Sequence, residues 1–275
     1  MAMSEVVGSV SGLWRFPVKS MGGEQLQAVE LTEQGVLGDR AFALIDNDSG
    51  KAVSAKNTRL FPDLFEFSAA FVEEPRPDES MPEIEITFPD GTLVRSDSVD
   101  IDRVLSAHFN QNIRLGRVTD PVAEPADDQN NDVARSLGSP LPAGSFLDLF
   151  PISVLTTSTL DRLNELEPGS RFDERRFRMN VIVNSERPGF IENDWVDHNL
   201  AFGDTARLNV TLLDPRCVMT TMAQGDLPKD ADVLRAIVRH NNLQVGDLGL
   251  LPCVGVYAVV QVHGSVRIGD SVALD

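Results

Sequence analysis

The sequence predicts an α+β fold that is mainly β, in two domains, and three observations lead there. Apolar residues recur with a period of two in many short segments bounded by Gly, Pro, Asn or Asp, the pattern of half-buried strands. Helical spacing of apolar residues is confined to three short stretches. The third observation is a break. Thr119 to Ser145 holds Pro121, Pro125, Pro140 and Pro142, the acids Glu124, Asp127, Asp128 and Asp132, and no sustained apolar period. Such a segment reads as a linker or long surface excursion, 119–145, between domains at 1–118 and 146–275.

Val6 to Phe16 mixes Val, Leu, Trp and Phe and predicts a first strand, ending in the turn Phe16-Pro17-Val18-Lys19-Ser20-Met21-Gly22-Gly23. Leu26 to Leu31 alternates and suits a second strand. Gly35 to Arg40 is a glycine-punctuated turn into an apolar strand at Ala41 to Ile45. Glu83 to Phe88, Pro89-Asp90-Gly91 and Thr92 to Val94 predict a hairpin. Asp100 to Asn110 places Ile101, Val104, Leu105 and Phe109 on one helical face. Beyond the break, Phe150 to Thr157 predicts a strand. Ser158 then opens a short helix with Asp161 as its capping-box partner, closed by Pro168-Gly169. Val181 to Val183 predicts the next strand, preceded by Arg175, Arg176 and Arg178. In a period of two, Arg178 and Asn180 share a face of that strand. Arg207 to Leu213 alternates up to Pro215, which cannot donate to a ladder. Asp230 to Asn241 is an amphipathic helix; strands follow at Gly255 to Val262, Ser265 to Ile268 and Ser271 to Leu274.

Charge narrows the function. With Lys+Arg 24 against Asp+Glu 42 the net charge is −18. A surface so acidic repels phosphate backbones and anionic bilayers, so neither nucleic acid nor membrane is an expected partner. No apolar run is long enough to span a bilayer, and Met1 to Val10 lacks the basic and apolar regions of a signal peptide. Two cysteines far apart, without a C-x-x-C, make neither a disulfide framework nor a zinc ribbon, and fit the reducing cytoplasm. The four histidines share no ligand spacing, and no G-x-S-x-G or G-x-G-x-x-G occurs.

Within this frame Cys217 stands out. It falls just past a strand end, beside the cation Arg216 and before Thr220 and Thr221. A neighbouring cation favours the thiolate, a nucleophile and soft metal ligand. From local context alone an inert buried thiol is the competing reading. Cys253, in Leu250-Leu251-Pro252-Cys253-Val254, is expected to be buried and inert.

Arg216-Cys217-Val218-Met219-Thr220-Thr221, with Gln224, Asp230 to Arg235, Gly255-Val256-Tyr257-Ala258 and Gly269-Asp270-Ser271-Val272, resembles the core of the MOSC family, the molybdenum cofactor sulfurase C-terminal domain. Pro17-Val18-Lys19-Ser20, Gly38-Asp39-Arg40 and Ser54-Ala55-Lys56 resemble that family's N-terminal β-barrel domain. The resemblance implies a β-barrel-like N-terminal domain packed against a MOSC β-barrel. It implies a molybdenum cofactor held at Cys217 as metal ligand and catalytic centre. Lys19, Arg40, Lys56, Arg178, Asn180, Arg216 and Thr220, with the hydroxyls of Thr156 or Ser158, are then its expected polar contacts. Their types suit a phosphate and a polar pterin. The amidoxime-reducing branch of the family further implies reduction of N-hydroxylated compounds. With no aminotransferase-like sulfurase domain before it, a complete cofactor sulfurase is not expected; with no iron–sulfur cysteine cluster after the barrel, electrons are expected from a separate protein of reductase, ferredoxin or cytochrome type. The alternatives are a sulfur carrier with a persulfide on Cys217 and a non-enzymatic cofactor carrier.

Overall fold

The computed structural model describes residues 5–119, 146, 147 and 149–275. The expected linker therefore lies outside the described residues except for Thr119. The described residues form two compact units, and both are discontinuous in sequence: one takes residues 15–24, 37–119, 146, 147 and 149, the other 5–14, 25–36 and 150–275.

The first unit is built on small antiparallel sheets. Phe42–Asp46 pairs with Ile113–Arg117, and Ser68–Phe71, Ile84–Thr87 and Leu93–Arg95 form a three-stranded meander. The predicted hairpin is the second half of that meander, with Gly91 at φ +85 in its turn. Helix α1 (Ile101–Phe109) matches the predicted stretch and ends at Asn110 in the left-handed region, where Asn is tolerated. It buries Ile101, Leu105 and Phe109, one apolar stripe.

The second unit is a closed seven-stranded barrel. Its strands are β1 (Glu5–Arg15), β2 (Ile152–Thr156), β3 (Val181–Asn184), β4 (Asn199–Phe202), β5 (Ala206–Pro215), β6 (Leu250–Val262) and β7 (Ser271–Leu274). The order β2-β3-β1-β7-β4-β5-β6 returns to β2 because Ile152 to Val154 also pair with Ala258 to Val256. Closure removes the exposed sheet edges that an open sheet leaves. One pair, β2 with β3, is parallel. A parallel pair needs a crossover, and helix α2 (Thr157–Leu166) with the segment after it supplies one.

The barrel interior is filled by alternate residues, among them Val10, Leu13, Val154, Val181, Val183, Leu208, Val210 and Val256. On β2 and β3 the other face is buried too. Leu155 and Ile182 point outward into a second core with Leu163, Phe172, Phe177, Met179, Val233 and Ile237, beneath α2 and helix α3 (Asp232–His240).

The start of α2 departs from expectation. The cap is Thr156, whose hydroxyl accepts from Thr159 N at 3.2 Å, so the helix begins directly on the strand's last residue. Asp161 thus lies too deep in the helix for a capping box, and Ser158 is inside its first turn. Among the described residues no helix is long and apolar enough to cross a membrane.

Candidate functional site

Strand β5 ends at Pro215, opposite Cys253 of β6. Arg216 N still donates to Pro252 O at 2.7 Å, and then the chain leaves the barrel. Cys217 is exposed and extended (φ −119, ψ −174) and opens a short 3-10 turn, Val218–Thr221. Its carbonyl accepts from both the backbone N (3.2 Å) and the hydroxyl (3.1 Å) of Thr220. Thr220 is 3% exposed, so its hydroxyl fastens the cysteine turn. Thr221 does the same for Val218 at 2.7 Å. Cys253 has the opposite setting: fully buried, its thiol donates to Leu251 O, and burial pushes its pKa up to about 12. Its burial is what the apolar context predicted.

Arginines hold the loop on both flanks. Arg216 Nε donates to Val254 O at 2.9 Å, and Nη1 to Phe177 O at 3.1 Å. Its Nη2 reaches the Met179 sulfur at 3.1 Å and the buried Asp214 carboxylate. Arg216 therefore ties the base of the cysteine loop to the turn at 177–179. Expected as a cofactor contact, it is engaged inside the protein. Downstream, Arg176 is 2% exposed and donates to the carbonyls of Arg171, Thr220, Met222 and Pro228. Arg175 pairs with Asp173 and Asp226, and Arg175 and Arg171 together hold the Asp226 carboxyl well below the usual range.

Of the three arginines before β3, Arg175 and Arg176 thus serve the protein's own loops. Arg178 sits in the turn held by Arg216, at φ +55, half-buried. The strand begins only at Val181, so the pleat argument that put Arg178 and Asn180 on one face does not apply. Asn180 is 2% exposed. Its Oδ1 accepts from Ser153 N and Oγ, both at 3.1 Å, and its Nδ2 donates to Trp14 O at 3.4 Å. This amide stitches β3 to β2 and β1, a structural duty.

The expected hydroxyls are also engaged. Thr156, besides capping α2, donates to Glu192 Oε2 at 2.7 Å, and Ser158 Oγ donates to Ser185 O at 3.3 Å. Glu192 itself is fully buried, its other oxygen has no hydrogen-bond partner among the described residues, and burial pushes its pKa up. Nothing in the sequence marks this acid.

The remaining expected residues lie in the other unit. Lys19 is 8% exposed and its Nζ donates to Phe146 O at 3.1 Å. Phe146 N in turn donates to Arg40 O at 3.0 Å. Arg40 pairs with Asp39 and its guanidinium lies 4.7 Å from the Phe16 ring centroid. Lys19 and Arg40 thus share Phe146. Ser20, at φ +65, accepts from Ala55 N at 3.2 Å, which brings the neighbouring Lys56 near that turn. Lys56 lines a cleft of about 490 Å³ with Lys51, Ser54 and Asn57.

Gly255 completes the picture. It sits at φ +80 where β6 bulges against β5, and a Cβ there would meet Met179 Cε at 2.2 Å and Val154 O at 2.7 Å. Only glycine lets Met179 reach across to Arg216. The sequence flagged the Gly255 segment by resemblance but not its reason.

These features define a class: a seven-stranded barrel that presents one exposed thiol on an arginine-fastened loop. Residues 7–119 match the MOSC N-terminal beta barrel domain and residues 141–273 match the MOSC domain, and the chain belongs to the MOSC family. It is similar to mitochondrial amidoxime-reducing component 1 of Mus musculus, 25% identical over 98% of this chain and 82% of that protein. It is similar to mitochondrial amidoxime reducing component 2 of Homo sapiens, 24% identical over 97% of this chain and 83% of that protein. Among solved structures it is similar to the YUAD protein of Bacillus subtilis, with a TM-score of 0.48 and 14% identity over 99% of this chain and 98% of that one.

Proposed function

We propose that this protein is a molybdenum-cofactor-binding oxidoreductase that reduces N-hydroxylated compounds in the cytoplasm with electrons from a separate donor protein. The observation that carries the reading is the exposed Cys217 thiol on an immobilised loop at a barrel strand end, in a MOSC domain. The donor set fits such a group. A soft thiolate suits molybdenum, and arginine suits a phosphate or a pterin edge. Arg178, Lys19, Arg40 and Lys56 are the cations proposed to hold it. Asn180, Thr156, Ser158, Arg216 and Thr220, each engaged with a protein partner, act by shaping the site.

When bound, the cofactor supplies the two-electron chemistry that removes oxygen from an N–O bond. The chain's own contribution is to fix Cys217. Arg216 and Thr220 set the backbone before and after it, so the thiol is presented without reorganisation. The buried Cys253, protonated at neutral pH, offers no competing thiolate. The two free cysteines and the acidic surface accord with a reducing compartment and a donor with a basic docking face.

The test is metal analysis of protein made in a host with intact cofactor synthesis, followed by reduction of a simple amidoxime with reduced viologen. About one molybdenum per chain and amidine formation are expected, both lost in Cys217→Ser and kept in Cys253→Ser. Protein without molybdenum that carries a labile sulfur on Cys217 would replace this reading with sulfur transfer. Molybdenum bound without any turnover would replace it with a cofactor carrier.

A further inference from the structure

We infer that Arg176 is a positioning residue for Cys217, a buried cation that sets the thiol's loop by donating to three of its carbonyls at once. The inference rests on the reading of Cys217 as the working thiol. Arg176 reaches Thr220 O at 3.3 Å, Met222 O at 3.2 Å and Pro228 O at 2.9 Å, and anchors its own end through Arg171 O at 2.9 Å. The first two carbonyls follow Cys217 within five residues, and the third lies where the loop returns. One planar guanidinium therefore measures the loop's width, which a point charge cannot do.

The cost of the arrangement argues for its purpose. Among the described residues no carboxylate is within ion-pair distance of Arg176; Asp230 and Asp173 act on it from farther away, and burial outweighs them and pushes its pKa down. A buried cation with no carboxylate in contact is expensive, and an apolar side chain of similar length would pack there more cheaply. What an apolar side chain cannot do is satisfy three loop carbonyls. Outside, Arg171 and Arg175 grip Asp226 on the same loop, but these pairs are exposed and screened by salt. Arg176 is the grip that salt does not reach.

The experiment follows Cys217 directly, by the rate of its alkylation with iodoacetamide in peptide-resolved mass spectra, and by amide exchange across 218–222 and 227. Three variants are compared in folded protein: Arg176→Met, Arg176→Lys and, as a control of similar destabilisation, Val210→Ala in the barrel core. Loss of the fork is expected to speed exchange in 218–222 by about tenfold or more in both Arg176 variants. The Cys217 alkylation rate should change with it, while Cys253 stays protected. Val210→Ala should leave both readings within about twofold. Lysine keeps the charge, so its failure to restore order assigns the effect to geometry. Wild-type rates in Arg176→Met, the same disturbance in Val210→Ala, or global unfolding of both Arg176 variants would each overturn the inference. Neither measurement needs molybdenum, so a chain that binds no cofactor still tests Arg176. A failed Arg176 test, likewise, leaves the cofactor reading standing.

Discussion

Gly255→Ala tests how the strand opposite Cys217 is shaped. Two costs add. At φ +80 an L residue pays about 1–2 kcal/mol against the right-handed preference. The new methyl also intrudes to 2.2 Å from Met179 Cε and 2.7 Å from Val154 O, and overpacking of this kind costs about 1–3 kcal/mol. The total is about 2–5 kcal/mol. The two clashes differ in kind. Met179 Cε ends a flexible side chain and can swing away, at the expense of the sulfur's contact with Arg216. Val154 O belongs to β2, whose pairing with Val256 would have to shift. Urea unfolding of wild type, Gly255→Ala, Met179→Leu and the double variant separates these terms. Shortening residue 179 should recover about 1 kcal/mol of the loss and no more. A loss below about 1 kcal/mol in Gly255→Ala, or complete recovery in the double variant, would refute the reasoning.

Other outcomes follow from the buried acid and its partners. Thr156→Ala removes a helix cap worth about 1 kcal/mol and the hydroxyl that serves Glu192, for a total of about 2–4 kcal/mol in urea unfolding. Glu192 holds its proton above the usual carboxylate range, so the folded state binds more protons than the unfolded one as pH rises through that range. Stability should therefore fall with rising pH, and Glu192→Gln should flatten the curve: a higher urea midpoint than wild type near about pH 8, converging toward about pH 4. A wild-type curve that rises over this interval, with the variant parallel to it, would contradict the assignment. Cys253→Ser should lower stability slightly and leave Cys217 alkylation unchanged, measured by the same peptide mapping.

The barrel strands were mostly legible because their apolar alternation is local. Strands β1, β5 and β7 fall within a residue or two of the stretches read from the pattern. Asn199–Phe202 and Ile113–Arg117 were not, since each is short and finds its identity only in partners far along the chain. At the site, the position of Cys217 just past a strand end could be read, and so could the burial of Cys253. The duties of the polar residues around them could not. Arg176, Arg216, Asn180 and Thr156 carry the chemistry of ligand contacts. Whether each faces a ligand or a carbonyl depends on burial, which sequence spacing does not encode. The helix start at Thr156 was missed for a related reason: strand and helix meet without a loop, so no turn residue announces the change.

Strand β1 is a stave of the barrel, seated between β3 and β7, with Ser9 opposite Asn184 and Glu5 opposite Leu274. On the ribosome this stave is made early and its two neighbours late, so it must wait, unpaired, while most of the chain is translated. The Cys217 loop is likewise translated before β7, the last neighbour of β1. A fragment holding only residues 150–275 would present two raw edges at β3 and β7 and invite strand exchange between copies. Supplying residues 5–14 as a separate peptide should fill that gap, which offers a split-protein handle on when this site first takes shape.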